Sequence, residues 1–157
     1  MTVNYLLDTN ILVIYSRDSE VANKIETEYQ IFSGNHNLAI SVITLGELNS
    51  LAKQFKYGEK RKKEIEKLIN QLYTIDTNIK EIIERYGDID AYSQGKLEGN
   101  SLGLSSRNMG KNDIWIAATA STFDMILITT DKDFGHLDGT YLKLEHIDLD
   151  KFKKGNQ

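Results

Sequence analysis

The chain of 157 residues contains no cysteine and no proline. Without cysteine it can form no disulfide, use no thiol nucleophile and build no cysteine-based zinc site. Without proline, its helix ends must be set by glycine and by capping side chains. No apolar run approaches the ~18 residues that a membrane span needs, and no basic stretch followed by a long apolar one opens the sequence. These absences predict a cytoplasmic protein with no membrane segment.

The residues that are present suit a folded globular protein. Apolar residues make up 40% of the chain and charged residues 27%, which is typical of globular domains. The sequence shows no internal repeat and no linker, so we expect a single domain over residues 1–157. The net charge of −4 argues against a generally basic nucleic-acid binder. Four acids in one local site would account for that whole charge and leave the remaining surface near neutral.

Patterns typical of strands and helices alternate along the chain. Short apolar runs predict strands at residues 3–7, 38–40, 74–76, 125–129 and 141–146. Apolar residues at helical spacing predict helices at residues 9–15, 20–32, 43–55, 60–73, 79–92 and 112–123. This alternation predicts an α/β fold with a central, mostly parallel sheet.

Four acidic residues fall where such a sheet would bring them together. Asp8 and Asp131 each follow a predicted strand, while Glu47 and Asp113 lie near the start of predicted helices. Ligands of open α/β sheets bind beyond the carboxyl ends of the strands. A cluster of four acids repels itself and needs a cation, and oxygen ligands select Mg²⁺ or Mn²⁺. A metal held by carboxylates most often serves phosphate chemistry.

Each acid also has a structural interpretation. Asp8 is a possible helix cap, and an acid such as Asp113 is favoured in any first helical turn. Glu47 shares a helical face with apolar residues, where it is either half of a buried ion pair or a metal ligand, and we favour the ligand. One of Asp131 and Asp133 can cap a turn. We assign Asp131, which is nearer the strand end, to the metal and Asp133 to structure.

Polar neighbours of the acids are candidates for supporting roles. They are Thr9, Asn10, Asn112 and Thr130. The hydroxyl of Thr130 is suited to hold a metal-bound water or to orient Asp131.

Two further segments concentrate cations. Seven of the 19 basic residues occur between positions 53 and 67, namely Lys53, Lys56, Lys60, Arg61, Lys62, Lys63 and Lys67. Glutamates interleave with them, so a solvated helix face with ion pairs is the favoured interpretation, and phosphate binding the alternative. Residues 95–110 are rich in glycine and serine and carry Arg107, with Lys111 just beyond. We expect a mobile flap there, or an insertion with no task.

The four acids and their flanks resemble PIN domains, and within them the VapC-like toxins of bacterial toxin–antitoxin pairs. The similar segments are LLDTNIL at 6–12, SVITLGEL at 41–48, NDIWIAA at 112–118 and TTDKDF at 129–134. The resemblance implies a three-layer α/β/α fold and Mg²⁺- or Mn²⁺-dependent endoribonuclease activity. It carries over Asp8, Glu47, Asp113 and Asp131 as metal ligands. It also implies a homodimer and a cognate antitoxin that blocks the site.

The resulting expectation is hydrolysis of RNA phosphodiester bonds by a metal-activated water, which leaves 5′-phosphate and 3′-hydroxyl ends. The candidate RNA contacts are Arg107, Lys111, Lys60 and Arg61. One alternative is a phosphatase of the haloacid-dehalogenase type, but that chemistry needs a second Asp where this chain has Asn10. Another is a non-catalytic acidic module that binds a partner protein, in which Glu47 would have no role.

Overall fold

The computed structural model describes residues 2–17, 19–103 and 105–153. Within these ranges the strands are β1 (Val3–Leu7), β2 (His36–Ser41), β3 (Tyr73–Ile75), β4 (Ile126–Thr129) and β5 (Lys143–His146). The helices are α1 (Thr9–Arg17), α2 (Ser19–Tyr29), α3 (Val42–Gln54), α4 (Glu59–Ile69), α5 (Lys80–Ser93), α6 (Lys111–Thr122) and α7 (Leu149–Lys153), with a 3₁₀ helix at Lys132–Leu137. The single domain predicted over 1–157 includes positions outside the described ranges.

The strands form one sheet in the order β3-β2-β1-β4-β5. Neighbouring strands are parallel at every pairing among the described residues. The chain first builds outward from β1 to β2 and β3, and then crosses back to place β4 on the other side of β1. The direction of winding therefore reverses between β1 and β4, which makes that point the switch point of the sheet. The predicted parallel sheet is confirmed.

Alternate side chains of the central strands face two different helical layers. Leu6 of β1 and Leu127 of β4 belong to a core shared with α5 and α6. Leu7 and Ile128, their neighbours in sequence, belong to a core shared with α1, α2, α3, α4 and α7. The sheet is thus buried on both faces, which confirms the three-layer α/β/α fold. No helix in the described ranges is both long and apolar enough to cross a membrane.

The helix predicted over residues 60–73 is shorter than its apolar spacing indicated. It ends at Ile69, and Tyr73 instead begins β3. Tyr73 pairs with Ala39 of β2 and therefore belongs to the sheet, although the predicted helix extended to it. Its side chain is 72% exposed.

The helix predicted over residues 20–32 also ends early, at Tyr29. Gln30 takes a positive φ of 50°, which breaks the helix. The carboxylate of Glu26 then accepts the N–H groups of Phe32 (3.1 Å) and Ser33 (2.7 Å). These bonds replace the helical ones and turn the chain toward β2.

The glycine-rich segment 95–110, described except at position 104, is mostly exposed but is anchored to the core at two residues. Leu102 and Met109 are buried in the core that contains α5 and α6. The N–H of Arg107 donates to the carbonyl of Ser93, with 2.6 Å between the two atoms. Positive φ angles occur at Gly95 (72°), Gly99 (77°) and Gly103 (70°). These anchors fix the course of the segment, and its motion over a substrate stays a prediction.

Arg61 joins two helices. Its guanidinium lies 3.7 Å from the centre of the Tyr57 ring. It also reaches the carbonyl of Val13 and the hydroxyl of Ser16 on α1, both at 3.4 Å. The preceding Lys60 is exposed. Packing of α4 on α1 therefore engages Arg61, and its contact with RNA stays a prediction.

Replacing Arg61 with Ala should lower the free energy of unfolding by about 1 kcal/mol, because a cation–π contact and two hydrogen bonds are lost. Lys60→Ala is the matched control and should change it by less than about 0.5 kcal/mol, since surface substitutions rarely do more. Urea denaturation measures both. Equal effects of the two variants would show that Arg61 does not tie α4 to α1.

Candidate active site

Asp8 occupies the switch point of the sheet. Its N–H donates to the carbonyl of Ile128 (2.9 Å), which extends the pairing of β1 with β4 by one residue. The side chain is 4% exposed, and each of its oxygens accepts one hydrogen bond. Oδ1 accepts the N–H of Thr9 (2.8 Å), and Oδ2 accepts the hydroxyl of Thr129 (2.7 Å). The carboxylate is therefore held in one orientation.

Thr129 connects two of the acids. While its hydroxyl donates to Asp8, the same oxygen accepts the N–H of Asp131 (2.9 Å). Thr130 was predicted to hold a metal-bound water or to orient Asp131, and both roles stay predictions, while the side chain that bonds the Asp131 N–H is that of Thr129. Thr130 is bonded through its carbonyl to His146 (3.2 Å). Thr129 is the last residue of β4, and that position was the available signal for its role.

Glu47 reaches the same edge of the sheet from α3. The Thr9 hydroxyl donates to its Oε1 (2.7 Å) and lies 3.0 Å from the buried hydroxyl of Thr44. Thr44 was not identified from the sequence. No Lys or Arg forms an ion pair with Glu47 within the described residues, so the alternative of a buried ion pair is wrong there.

The face of α3 that carries Glu47 is less buried than its apolar pattern predicted. Glu47 is half-buried, and Phe55 at the end of that face is 68% exposed. Leu48 packs into the core, while Gly46 and Ser50 line a cleft together with Glu47. The carboxylate therefore faces a cleft and is not enclosed in the core.

Asp113 is the third residue of α6, which begins after Gly110. It is half-buried, and no hydrogen bond to its carboxylate occurs among the described residues. Burial raises the pKa of Asp113 to about 7, and the nearby charges of Asp8, Asp131 and Glu47 add to the rise. A smaller contribution comes from Asp133. Among the four acids, Asp113 is thus the one whose charge is least compensated by hydrogen bonds.

Asp131 caps the 3₁₀ helix that follows β4. Its Oδ1 accepts the N–H of Asp133, with 2.9 Å between the atoms. Asp133 was predicted to have the structural task, but the capping side chain is that of Asp131, whose role as a metal ligand stays a prediction. The Asp131 charge also acts on Asp8 and Asp113. Asp131 therefore both caps the 3₁₀ helix and acts electrostatically on two of the other acids.

The pKa of Asp8 is raised, as that of Asp113 is. Burial raises the pKa of Asp8 to about 6, although the hydrogen bonds from Thr129 and Thr9 oppose the rise. The charges of Glu47 and Asp131 push it further upward. Four carboxylates from four separate parts of the chain thus repel one another at a single edge of the sheet. Hereafter Asp8, Glu47, Asp113 and Asp131 are called the acid group.

The donor set of the acid group suits a hard divalent cation. It consists of carboxylate oxygens, the ligands that Mg²⁺ and Mn²⁺ prefer. No three His, Cys, Asp or Glu side chains in the described ranges form a ready-made ligand cluster. Mg²⁺ usually keeps several of its waters and takes only one or two carboxylates directly. The residues therefore fit the ion in charge and donor chemistry, with water completing the coordination.

A cleft of about 630 Å³ opens at the acid group. Asp8, Glu47 and Asp113 line it, as do the predicted supporting residues Asn10 and Asn112. A smaller recess beside Glu47 and Asp113 is lined by Lys111, Asn112 and Gly110. Among the predicted RNA contacts, Lys111 thus borders the acid group.

The other predicted cations lie elsewhere. Arg107 lines a second cleft, with Lys132 and His136. Lys60 and Arg61 line neither cleft in the described part of the chain. Of the four predicted RNA contacts, one thus borders the acid group, one lines the second cleft, and two lie on α4.

Replacing Asp113 with Asn should stabilise the metal-free protein at neutral pH. The folded pKa values of Asp8 and Asp113, about 6 and 7, exceed their ordinary value of 3.8. The folded protein therefore binds more protons than the unfolded chain, and these groups stabilise it less as pH rises from about 4 to 7. The gap between D113N and wild type should grow over that range to about 1–2 kcal/mol, after discounting for solvent screening.

Urea unfolding in EDTA at about pH 4.5, 6 and 8 measures this gap. The control is Asp88→Asn, which removes an exposed charge from α5 and should show no such growth. A constant or shrinking gap for D113N would contradict the assignment of repulsion to the acid group.

Comparisons with known proteins agree with this architecture. No curated protein sequence matches the chain. A chain of the VapBC2 structure from Rickettsia felis, bound to a promoter DNA fragment, is 25% identical with a TM-score of 0.74, and 93% of this chain and 100% of that chain are covered. A chain of the VapBC-1 structure from nontypeable Haemophilus influenzae is 28% identical with a TM-score of 0.63, and 92% of this chain and 98% of that chain are covered. VapBC-5 from Mycobacterium tuberculosis shares the fold at 20% identity and a TM-score of 0.60, with 92% and 99% covered.

A family profile described as PIN domain matches residues 5–140. The matched range contains all four members of the acid group, the elements α1, α3, α6 and β4, and residues 5–7 of β1. Since the match extends over most of the sequence, the chain belongs to the PIN domain family.

Proposed function

We propose that this protein is a Mg²⁺- or Mn²⁺-dependent endoribonuclease and the toxin of a toxin–antitoxin pair. The observation that carries the proposal is the acid group itself. It joins four carboxylates, two of them with pKa values raised to about 6 and 7, at the ligand-binding edge of a PIN-family sheet. Ionisable groups perturbed by burial and by specific neighbours concentrate at functional sites.

The family match favours this function over the two alternatives. A phosphatase of the haloacid-dehalogenase type needs an acid two residues after its nucleophile, and Asn10 stands there, exposed at the cleft. A partner-binding acidic module gives no reason for Glu47 to be held by Thr9 (2.7 Å) at the same edge. The relatives with similar structures are VapBC complexes, which supports the toxin assignment.

The chain's own residues would bind and orient the reacting groups. Thr9 and Thr129 fix the carboxylates of Glu47 and Asp8, so little reordering is needed when a substrate arrives. Asp113 has no such bond among the described residues and can adjust its position. The exposed amides of Asn10 and Asn112 can donate to phosphate or sugar oxygens.

A bound divalent cation would supply charge against the transferring phosphoryl oxygens and acidify a water for attack. Asp8 and Asp113 would be its central ligands, with Glu47 and Asp131 completing the shell directly or through water. Protons compete for the two central carboxylates, because their pKa values lie near neutrality. Binding of the ion should therefore strengthen as pH rises through about 6 to 7.

Replacing Asp8 or Asp113 with Asn should abolish cleavage of a labelled RNA in Mg²⁺, a loss of at least about 100-fold. Wild-type products should carry 5′-phosphates, which a 5′-phosphate-dependent exonuclease detects. Thermal melting should show that Mg²⁺ stabilises wild type, more at pH 8 than at pH 5.5, and stabilises D113N less.

Asp88→Asn is again the control, since it removes an acid far along α5 and should retain full activity. Retained cleavage in D8N or D113N would refute the assignment of the active site. Turnover of a generic phosphomonoester with no cleavage of RNA would favour the phosphatase.

The toxin assignment also makes a claim about partners. The acid group would attract an Arg or Lys of an antitoxin, which would occupy the place of the metal. The VapBC relatives are complexes of this kind of pair, and we further propose that the chain forms a homodimer. Both partners are proposals for this chain.

Co-expression with the product of the neighbouring gene should suppress growth inhibition and RNA cleavage together. Addition of purified partner to purified protein should also abolish cleavage, with light scattering reporting the mass of each species. The matched control is a partner whose candidate Arg or Lys is changed to Ala, which should inhibit at least about tenfold less. A harmless chain with no binding neighbour would refute the toxin role and leave the nuclease assignment standing.

A further inference from the structure

A second cleft, of about 540 Å³, lies beside the acid group and has the opposite charge character. Segment 95–110 forms one wall with Ser106, Arg107, Asn108 and Met109, and the 3₁₀ helix forms the other with Lys132, Asp133, Gly135 and His136. We call it the basic cleft. It brings together two segments that are far apart in sequence, and nothing in the chemistry of the acid group requires it.

Ser93, the last residue of α5, holds both walls of the basic cleft. Its carbonyl accepts the N–H of Arg107 (2.6 Å). Its hydroxyl lies 2.7 Å from Nε2 of His136, and the His136 ring stacks on Tyr92 at an interplanar angle of 12°. Ser93 is buried, so these bonds are shielded from water. The separation of Arg107 from the 3₁₀ helix is thereby fixed by the fold.

The two cations of the basic cleft are available to a ligand. Neither Arg107 nor Lys132 forms an ion pair with any acid in the described ranges. Both are exposed. Asp133 also lines the cleft, and its N–H is bonded to Asp131. The charge of Arg107 acts inside the cleft, because it lowers the pKa of His136, which burial already lowers.

The basic cleft adjoins the acid group through the 3₁₀ helix. Lys132 directly follows Asp131, and Asp133 contributes to the raised pKa of Asp113. A polyanionic strand that places one phosphate at the acid group is repelled there by four carboxylates. Fixed cations on its path would offset that repulsion at the flanking phosphates.

We infer that the basic cleft binds a backbone phosphate of the RNA strand that flanks the cleaved one, through Arg107 and Lys132. The inference rests on the proposed function, because it takes the strand to cross the acid group. It assigns this task to Arg107 with Lys132, a residue that the sequence analysis did not select, and not to Lys60 or Arg61 on α4. Such contacts position the strand and read no bases.

The test measures binding of a fluorescein-labelled single-stranded RNA, about 15 nucleotides of mixed sequence, by anisotropy across a salt series. All variants carry Asp113→Asn to prevent cleavage during the measurement. Replacing both Arg107 and Lys132 with Ala should weaken binding about tenfold or more at low salt. The slope of log affinity against log salt should flatten by about 0.7, which is the contribution of one single-strand phosphate contact.

The matched control is Arg17→Ala with Lys143→Ala, which removes one exposed Arg and one exposed Lys from the end of α1 and the start of β5. This control makes the same change in net charge as R107A/K132A, but it should leave the slope of log affinity against log salt unchanged within error. The swap Arg107→Lys with Lys132→Arg keeps both charges and should retain most of the slope. Thermal melting verifies that each variant is folded.

An unchanged affinity and slope in R107A/K132A, or equal losses in the control, would overturn the inference. So would a swap variant that behaves like the double Ala variant, because a lost shape and not a lost charge would then explain the effect. These outcomes are independent of cleavage. Failure of the proposed function would appear separately, as absence of metal-dependent RNA cleavage by the protein with all of its acids.

Discussion

The parallel pairing of β1 with β4 is the constraint on which the rest of the site depends. It places Asp8 beside Ile128, so that the Asp8 N–H can continue the ladder beyond the last residue of β1 (2.9 Å). It also brings Thr129 within 2.7 Å of a carboxylate that is 121 positions away in sequence. The direction in which the chain winds reverses between β1 and β4. The crossover connections on either side therefore leave a crevice between these two strands unfilled. The crevice is where α3 and α6 deliver their acids.

The site keeps an electrostatic cost that a purely structural arrangement would avoid. Asp8 is almost completely buried among like charges, and its two hydrogen bonds only partly compensate. Asp113 has less compensation still and a higher pKa, about 7. A folded protein tolerates such repulsion where a ligand relieves it, and a divalent cation relieves it best because its charge acts on every carboxylate at once.

The surroundings of the acid group differ on its two sides. On one side, the wall formed by α3 is uncharged apart from Glu47 and partly apolar, with Val42, Ile43 and Leu51 lining the cleft. On the other side lie Lys111 and, beyond the 3₁₀ helix, the cations of the basic cleft. In the proposed function, this asymmetry would give an RNA strand a preferred direction across the acids, because the described cations that line the clefts are Lys111, Arg107 and Lys132. The α3 wall would then be the more suitable surface for apolar contacts of the proposed antitoxin.

Segment 95–110 contributes to this asymmetry through its anchors. Its glycines permit the turns with positive φ, but the side chains of Leu102 and Met109 are buried in the core and anchor it there. Burial of two apolar side chains offsets the entropy that four glycines would otherwise leave in the chain. Arg107 is therefore presented from a defined backbone position, which a free loop could not provide.

The sequence by itself determined the alternation of strands and helices, the parallel sheet and the four acids at its carboxyl edge. These features follow from local patterns, since burial on both faces and the position of a residue at a strand end are visible within a few neighbours. Only the tertiary structure decided that α4 ends at Ile69, because Tyr73 pairs with Ala39 of β2 and does not continue the helix. It also decided that the Thr129 hydroxyl bonds both Asp8 and the N–H of Asp131, and that Ser93 anchors Arg107 in the wall across the cleft from Lys132. Hydrogen bonds and charges act over a few ångströms in space, and the order of residues along the chain does not state which distant groups the fold will bring that close.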